Sequence, residues 1–306
     1  MKPPTFLVGA PRSGTSLLYR ALALHPEVAY ISNWVQRFPV LPQLSALNRL
    51  ASRMPVRRSA AWFPEGNAYV YGRHRERFDR VFPAPAEGEP VFSRAGVTTD
   101  YVDSLPEIGE EILSLRRAFA SIVRWSGAEV LVVKRIANNR RIPLLRAAFP
   151  DARFLEISRD GRAVAQSISK VNWWPDMRVW WLGQTPGEWA AAGRHPMELC
   201  AMHWRREIEE IDRQLTGLPS SMHLPIRYED IIADPLPSLE RIAEFIGVAP
   251  QNASWQHSLG QIEFPDQNRR WVRELSSEEI EIIERVQRDQ LRALGYTLST
   301  TDGNEA

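Results

Sequence analysis

Residues 6–24, F-L-V-G-A-P-R-S-G-T-S-L-L-Y-R-A-L-A-L, decide the fold of this chain. The apolar run at residues 6–8 has the composition of a buried strand and enters a turn that contains Gly9 and Gly14. Apolar residues then recur at helical spacing over residues 15–24. The stretch therefore predicts a strand, a glycine-containing loop and a helix in immediate succession.

The same alternation of strand and helix continues along the chain. Short apolar runs predict further strands at residues 130–133, 153–157 and 222–226. Helical patterns and a capping-box motif predict helices at residues 107–125, 139–149, 160–170, 196–215, 236–246 and 276–294. Strands that alternate with helices favour parallel pairing with right-handed crossovers. The predicted fold class is therefore α/β, a P-loop-like three-layer domain with a central, mostly parallel β-sheet flanked by helices.

The chain is expected to form a single domain over residues 1–298. Residues 32–103 carry scattered Pro and aromatic residues with few clean periods, which predicts irregular cover over the core with one helix at residues 42–54. A Trp-rich insertion is predicted at residues 172–190, and a disordered tail at residues 299–306.

Composition and charge exclude several classes of protein. The 306 residues include 38 Lys and Arg against 37 Asp and Glu, a formal charge of +1, so no overall field favours nucleic acid or an anionic membrane. The single cysteine, Cys200, excludes an intramolecular disulfide and fits a reducing compartment, and we expect it to be a small buried residue on a helix. Because no uncharged apolar run reaches the roughly 18 residues of a membrane span, we expect a cytoplasmic protein without an integral membrane segment.

The loop at residues 9–16, G-A-P-R-S-G-T-S, has the glycine spacing of a Walker A loop, but Thr15 stands where that motif has its Lys. Walker A proteins use the Lys on the β- and γ-phosphates, so its replacement argues against nucleoside triphosphate hydrolysis. The start of the helix still offers backbone N–H groups to an anion, and Arg12 and Ser16 add a cation and a hydroxyl. The loop is therefore predicted to bind an anion.

A second set of anion-binding residue types follows the predicted strand at residues 153–157. Residues 158–162, S-R-D-G-R, lead into the next helix, and Ser167 lies about two turns along that helix. Arg159 and Ser167 can then face one point beyond the carboxyl end of the sheet, where ligands of α/β proteins bind. A guanidinium and a hydroxyl suit a phosphate group.

Together, residues 9–16 and residues 158–167 resemble the two cofactor motifs of the sulfotransferases that use 3′-phosphoadenosine 5′-phosphosulfate (PAPS). The resemblance is to the branch that contains tyrosylprotein sulfotransferases and related bacterial enzymes, and Arg159 and Ser167 have the family's spacing of eight positions. Further similar segments lie at residues 25–28, 134–138, 149–154, 227–230, 234–235, 270–271 and 294–296. The resemblance implies a PAPS-dependent sulfotransferase that needs no metal.

The resemblance also implies roles for the matching residues. It assigns the 5′-phosphosulfate to Arg12, Ser13, Gly14, Thr15 and Ser16. It assigns the 3′-phosphate to Arg159 and Ser167, and it brings Tyr228 close to the nucleotide.

Lys134, at the end of the strand predicted for residues 130–133, is the principal catalytic candidate, with Arg12 as a second cation. The family has a Lys there that stabilises the bridging oxygen and protonates the leaving group. The chain contains Lys only at positions 2, 134 and 170, so a Lys rather than an Arg at position 134 favours a chemical role for this residue. An ammonium can lose its proton, whereas a guanidinium cannot.

The sequence departs from the family pattern at the general base. Tyrosylprotein sulfotransferases have a Glu 21 positions after the loop Arg, and the residue here is Asn33, which cannot accept the proton of a hydroxyl. Glu65, Asp100 and His203 are the alternative bases considered, whereas His25 is interpreted as a structural residue at a helix end.

The acceptor is left open among small molecules, glycans, lipids and peptides, as is the oligomeric state. Tryptophans that could form an acceptor wall or simply fill the core occur at positions 173, 174, 180, 181 and 189. Two alternative functions are a nucleotide-binding protein of the same fold without turnover and a P-loop kinase or NTPase. A kinase or NTPase would prefer ATP–Mg²⁺ to a 3′-phosphorylated nucleotide, whereas the nucleotide-binding protein would differ from the enzyme only in its lack of sulfate transfer.

Overall fold

The structure is a computed structural model that describes residues 2–63, 81–99 and 109–299. Within these residues, five strands form one parallel sheet in the order β2-β3-β1-β4-β5. The strands are β1 Thr5–Val8, β2 Val28–Ala29, β3 Val130–Lys134, β4 Arg153–Ser158 and β5 His223–Arg227. The predicted α/β class with a central parallel sheet is confirmed.

Helices cover both faces of the sheet and its carboxyl edge. The described α-helices are Thr15–Ala23, Asn33–Arg37, Ala46–Ser52, Pro55–Trp62, Glu89–Ser93, Glu110–Ser126, Ile142–Ala148, Gly161–Ser169, Pro186–Ala191, Pro196–Leu215, Tyr228–Ala233, Pro235–Ile246, Ala253–Leu259, Arg270–Glu274 and Ser277–Ala293. Short 3₁₀ helices occur at Pro42–Ser45, Ile136–Arg140 and Trp174–Asp176. Among the described helices, none combines the length and the apolar character needed to cross a bilayer.

Two sequence predictions need correction. The helix predicted at residues 42–54 is present, as the 3₁₀ helix Pro42–Ser45 followed by the α-helix Ala46–Ser52. The expectation that the rest of residues 32–103 is irregular is wrong for its described part, which also contains the short helices Asn33–Arg37, Pro55–Trp62 and Glu89–Ser93. These helices are too short for periodicity to reveal them. The helix predicted at residues 139–149 instead begins at Ile142, because a 3₁₀ helix precedes it and Pro143 occupies its first turn, where the missing N–H costs no hydrogen bond.

The core lies on both faces of the sheet. Leu7 of β1 belongs to a buried cluster with Leu18 and Ile242, and its neighbour Phe6 belongs to a second cluster with Phe119 on the opposite face. Successive residues of a strand point to opposite faces, so a sheet covered on both sides needs strands that are apolar throughout. This is why the short run in β1 contains no polar alternation.

The strand order fixes where a ligand can bind. Strands β3 and β4 lie on either side of β1. The chain thus passes from one side of β1 to the other between these two strands, and their carboxyl ends border a crevice. The loop after β1, Lys134 at the end of β3 and Arg159 after β4 all reach this crevice.

Candidate functional site

The loop between β1 and the helix Thr15–Ala23 begins at a position that admits only glycine. A Cβ atom at Gly9 would lie 2.5 Å from the carbonyl oxygen of Ile157. Asn139 holds the same residue from the other side: the Gly9 N–H donates to Asn139 Oδ1 at 3.1 Å, and Asn139 Nδ2 donates to the Gly9 carbonyl at 2.9 Å. The loop is therefore fixed to β4 and to the 3₁₀ helix Ile136–Arg140.

The rest of the loop has the backbone geometry of an anion site. Arg12 and Gly14 have φ angles of 71° and 92°, and a non-glycine residue in this region carries backbone strain that the surrounding structure must compensate. The helix Thr15–Ala23 starts without a side-chain cap, so the N–H groups and dipole of its first turn are directed at the crevice. Thr15 and Ser16 line the crevice at this point.

Ser13 differs from its neighbours in the loop. It is fully buried and does not line the cleft, and its Oγ has no hydrogen-bond partner within the described residues. The predicted contact of this side chain with a 5′-phosphosulfate therefore stays a prediction.

The two predicted anion motifs meet in the structure through Arg12. Its Nε donates to Ser167 Oγ at 3.0 Å, and its carbonyl accepts a hydrogen bond from Arg159 Nη1 at 2.9 Å. Arg159 is buried and is oriented further by Asn268 Oδ1 and the Gln267 carbonyl, at 3.1 and 2.9 Å. Residues 155 positions apart in the sequence thus form one contiguous polar surface.

The ring of Tyr228 packs against both anion motifs. The Arg159 guanidinium lies 4.4 Å from the centre of the Tyr228 ring, a cation–π contact. The same ring lies so close to Gly14 that a Cβ atom there would be 2.6 Å from Tyr228 Cδ2. The tyrosine is buried and does not line the cleft, so it contributes to the site as a wedge between the loop and Arg159.

Lys134 ends β3, and its ammonium forms an ion pair with the carboxylate of Glu87. The lysine side chain is 8% exposed and that of the glutamate 48%. Both residues line the cleft. Sequence analysis did not identify Glu87, because it lies in a stretch of Pro, Ala and Gly that has no periodicity and matches no motif.

A second carboxylate close by is fully occupied. Glu89 binds the guanidinium of buried Arg135 through both oxygens, at 2.6 and 2.8 Å. Arg135 also donates to Asn138 Oδ1 and to the Val97 carbonyl, and it lies over the ring of Phe92. Glu89 therefore anchors the helix Glu89–Ser93 to the end of β3.

The cleft has a volume of about 1390 Å³. Its basic and hydroxyl-bearing side chains include Arg12, Thr15, Ser16, Lys134, Arg140, Arg159, Ser167, Lys170, Arg178 and Arg270. Its apolar wall comes from the Trp-rich segment and includes Trp173, Met177, Val179 and Trp180. By contrast, Trp174 and Trp189 are buried in the core. Some of the tryptophans therefore line the cleft and others fill the core.

A buried polar network joins the Trp-rich wall to the loop. The Glu207 carboxylate accepts hydrogen bonds from Trp180 Nε1, Arg140 Nη1 and Asn139 Nδ2, at 2.8, 2.9 and 2.7 Å. Asn139 in turn holds Gly9. The side chains of Trp180, Glu207 and Asn139 therefore connect the Trp-rich wall to the loop after β1.

Of the three alternative bases considered from the sequence, His203 is the one that the structure describes. His203 lies within the wall, where its Nδ1 accepts from Trp181 Nε1 and burial lowers its pKa to about 4, so it is neutral and weakly basic. His25 is buried and bonded to the Ala249 carbonyl and the Glu27 N–H, which confirms its structural interpretation. Glu65 and Asp100 lie outside the described residues.

Cys200 is buried on the helix Pro196–Leu215, as expected. Burial raises the pKa of its thiol to about 12, so the thiol is protonated and inert.

Comparison with known proteins agrees with these features. The chain is 24% identical to protein-tyrosine sulfotransferase 2 of Gallus gallus over 259 residues, which covers 83% of this chain and 54% of that protein. It thus spans about half the length of the curated relatives it matches. A sulfotransferase of Mycobacterium avium shares the fold with a TM-score of 0.58 and 16% identity, over 98% of this chain and 79% of that one. A sulfotransferase of Mycobacterium tuberculosis H37Rv gives a TM-score of 0.52 and 17% identity, over 94% and 76%.

A family model also matches most of the chain. Residues 3–252 match the model of the Sulfotransferase family, and this range contains the loop after β1, Lys134, the second anion motif and Tyr228. Because the match covers far more than half of the sequence, this chain belongs to the Sulfotransferase family.

Proposed function

We propose that this chain transfers the sulfuryl group of PAPS to a hydroxyl or amine group of an acceptor. The observation that carries the proposal is the direct contact of the two anion motifs, with Arg12 hydrogen-bonded both to Ser167 and to Arg159. A nucleotide with phosphate groups at its 3′ and 5′ positions can contact both motifs at once. Membership of the Sulfotransferase family supports the same activity.

The residues of the cleft fit PAPS in charge and in shape. Arg12, Lys134 and Arg159 supply cations to a ligand that carries several negative charges. At Gly9 and Gly14, the absence of Cβ atoms allows the backbone to approach its neighbours closely and to curve around an anion.

Each motif has a distinct role in the proposal. The uncapped helix start, with Gly14, Thr15 and Ser16, would hold the 5′-phosphosulfate, and Arg159 with Ser167 would hold the 3′-phosphate. PAPS, when bound, supplies the sulfuryl group. Tyr228 would keep Gly14 and Arg159 in position beside the nucleotide.

Lys134 would donate a hydrogen bond to the bridging oxygen and protonate it as the bond to sulfur breaks. Arg12 would neutralise charge on the transferred group. Stabilisation of developing charge by fixed donors is the largest contribution in reactions of this type. We propose that these cations act without a metal ion.

The acceptor would lie between the reaction centre and the wall formed by Trp173, Met177 and Trp180. An aromatic or otherwise apolar acceptor suits such a wall, and small-molecule, glycan, lipid and peptide acceptors all remain within the proposal. The single buried Cys200 supports a reducing, cytoplasmic setting.

Calorimetry with 3′-phosphoadenosine 5′-phosphate (PAP) and with ATP–Mg²⁺ tests the proposal. We expect PAP to bind and ATP–Mg²⁺ to bind much more weakly, because Thr15 replaces the Lys that a triphosphate site needs. A preference for ATP–Mg²⁺, or the binding of neither nucleotide, would contradict the proposed function. A protein that binds PAP but never releases it from PAPS would instead be a nucleotide-binding protein without turnover.

A further inference from the structure

We propose that Glu87 is the general base that accepts the proton of the acceptor hydroxyl. The inference rests on the proposed function and adds to it a residue that neither the motifs nor the family pattern identify. It also explains how the chain can dispense with a carboxylate at position 33.

Glu87 lies close to the proposed reaction centre. The Glu87 carboxylate is bonded to the ammonium of Lys134, the group assigned to the bridging oxygen. One hydrogen-bond length therefore separates the proposed base from the proposed acid. Glu87 is also half-exposed into the cleft, so its carboxylate can reach an incoming hydroxyl.

The segment that carries Glu87 is held in place by hydrogen bonds. Asn33 Nδ2 donates to the Phe82 carbonyl, and Asn33 Oδ1 accepts from the Ala84 N–H, both at 3.1 Å. The Asn33 N–H also donates to the Ala84 carbonyl at 2.9 Å. The residue at the position of the family's Glu thus positions the segment that brings a different carboxylate to the cleft.

Further hydrogen bonds hold the backbone on both sides of Glu87. The Ala86 N–H donates to the Ile31 carbonyl at 2.8 Å, and the Gly88 N–H donates to Gln36 Oε1 at 2.9 Å. Gly88 has a φ of 73°, and a Cβ atom there would lie 2.6 Å from Ile31 Cδ1. A turn that requires glycine therefore directs the Glu87 side chain towards β3.

The other described carboxylates that line this part of the cleft are occupied. Both oxygens of Glu89 bind Arg135, and the Glu207 carboxylate accepts three hydrogen bonds inside the wall. Glu274, at the rim, is bonded to Lys170 and Gln166. Among the described carboxylates that line the cleft, Glu87 alone contacts Lys134.

In the proposed step, one bond to sulfur forms as another breaks, and Glu87 and Lys134 transfer the protons. The acceptor oxygen forms a bond to sulfur, while the bond between sulfur and the bridging phosphate oxygen breaks. The acceptor proton moves to a Glu87 oxygen, and the leaving phosphate oxygen takes a proton from Lys134. The protonated Glu87 then returns its proton to Lys134, directly through the contact that the two residues already make.

Glu87→Gln tests the inference without a known acceptor, because PAPS desulfation with water as the acceptor can be followed as PAP release. A base role predicts that Glu87→Gln slows this release at least 30-fold, while Glu87→Asp restores part of it. If Glu87 served only to restrain Lys134, then Glu87→Gln would free the lysine and release would accelerate. An unchanged or a faster rate would therefore overturn the inference.

PAP affinity supplies a readout that does not depend on turnover. We expect Glu87→Gln to bind PAP within threefold of the parent, since a base for the acceptor does not hold the nucleotide. A tenfold loss of affinity would show that Glu87 acts through the nucleotide site instead. If the parent fails to bind PAP, the proposed function fails, which is a different result from a failure of the base role alone.

The chain offers a matched control at the opposite end of the sheet. Lys2 and Glu129 form another Lys–Glu ion pair, which is exposed and remote from the cleft. Glu129→Gln removes the same charge from the same kind of pair, and it should leave PAP release unchanged.

Discussion

Among single residues, Lys134 is the one on which the proposed sulfuryl transfer depends most. Lys134→Ala removes the only lysine that the structure brings to the end of β3, and with it the proposed donor to the bridging oxygen. We expect sulfuryl transfer to fall by about two to three orders of magnitude, the usual effect of removing one donor to developing charge. PAP affinity should change little, so turnover and calorimetry must be measured on the same preparation.

Lys2→Ala is the control for that substitution, because Lys2 also pairs with a glutamate but lies away from the cleft. It should turn over like the parent. Equal turnover in Lys134→Ala and Lys2→Ala would contradict the role of Lys134.

His203 gives a prediction about pH and stability. Burial lowers its pKa from 6.5 to about 4, so the folded state binds its proton less readily than the unfolded state does. The stabilising contribution of the neutral ring is complete above pH 6.5 and is lost as the pH falls towards 4. Between pH 7 and pH 5 this residue should lower the free energy of unfolding by about 2 kcal/mol.

Urea unfolding of the parent and of His203→Phe at both pH values measures this contribution. Asp212 opposes it, because burial raises the pKa of that carboxyl to about 6 and favours its proton uptake in the folded state. Asp212 is present in both proteins, so its effect cancels when their pH dependences are subtracted. Between pH 7 and pH 5, the free energy of unfolding should fall further in the parent than in His203→Phe. Equal falls in the two proteins would contradict a buried neutral ring at position 203.

At the scale of structural elements, the glycine loop gives the sharpest prediction. Gly14→Ala places a Cβ atom 2.6 Å from the Tyr228 ring at a φ of 92°. The ring is also the support of Arg159, so the clash should disturb both anion motifs. We expect PAP affinity to fall at least tenfold, as measured by calorimetry.

Gly217→Ala separates this clash from backbone strain. Gly217 has a similar φ of 81°, and a Cβ atom at this position would have no described neighbour within 4 Å. The substitution should cost stability of about 1–3 kcal/mol through strain alone and leave PAP affinity unchanged. A similar loss of affinity in both variants would argue against the packing of Gly14 on Tyr228.

The elements that sequence reasoning predicted are those with a strong local pattern. Strands β1, β3, β4 and β5 follow from short apolar runs between turn residues, and the capping box at Ser276 marks the start of the last helix. The two-residue strand β2 escaped prediction because it has no period, and it exists only through its pairing with β3.

The site divides in the same way. The motif residues of the candidate site could be predicted because their spacing is local, whereas Glu87 and Asn139 reach it through tertiary contacts. Glu87 lies 47 positions from Lys134, and Asn139 lies 130 positions from Gly9. No local pattern encodes such contacts, so only the folded chain reveals them.

In the whole molecule, the parallel sheet would allow a chain with a formal charge of +1 to bind the highly charged nucleotide that we propose. The strand order brings the carboxyl ends of β1, β3 and β4 together. Cations that are distant in the sequence are thereby concentrated at one edge, while the overall charge stays balanced. The central claim is that this edge holds one nucleotide by both of its phosphorylated positions.

Calorimetric titration of the parent and of Arg159→Ala with PAP and with adenosine 5′-phosphate tests this claim most directly. We expect Arg159→Ala to weaken PAP binding by at least tenfold and to change the affinity for adenosine 5′-phosphate by less than threefold, because only PAP carries a 3′-phosphate for Arg159 to bind. If Arg159→Ala reduced the affinity for both ligands equally, or for neither, that result would contradict the claim that the two motifs bind one nucleotide.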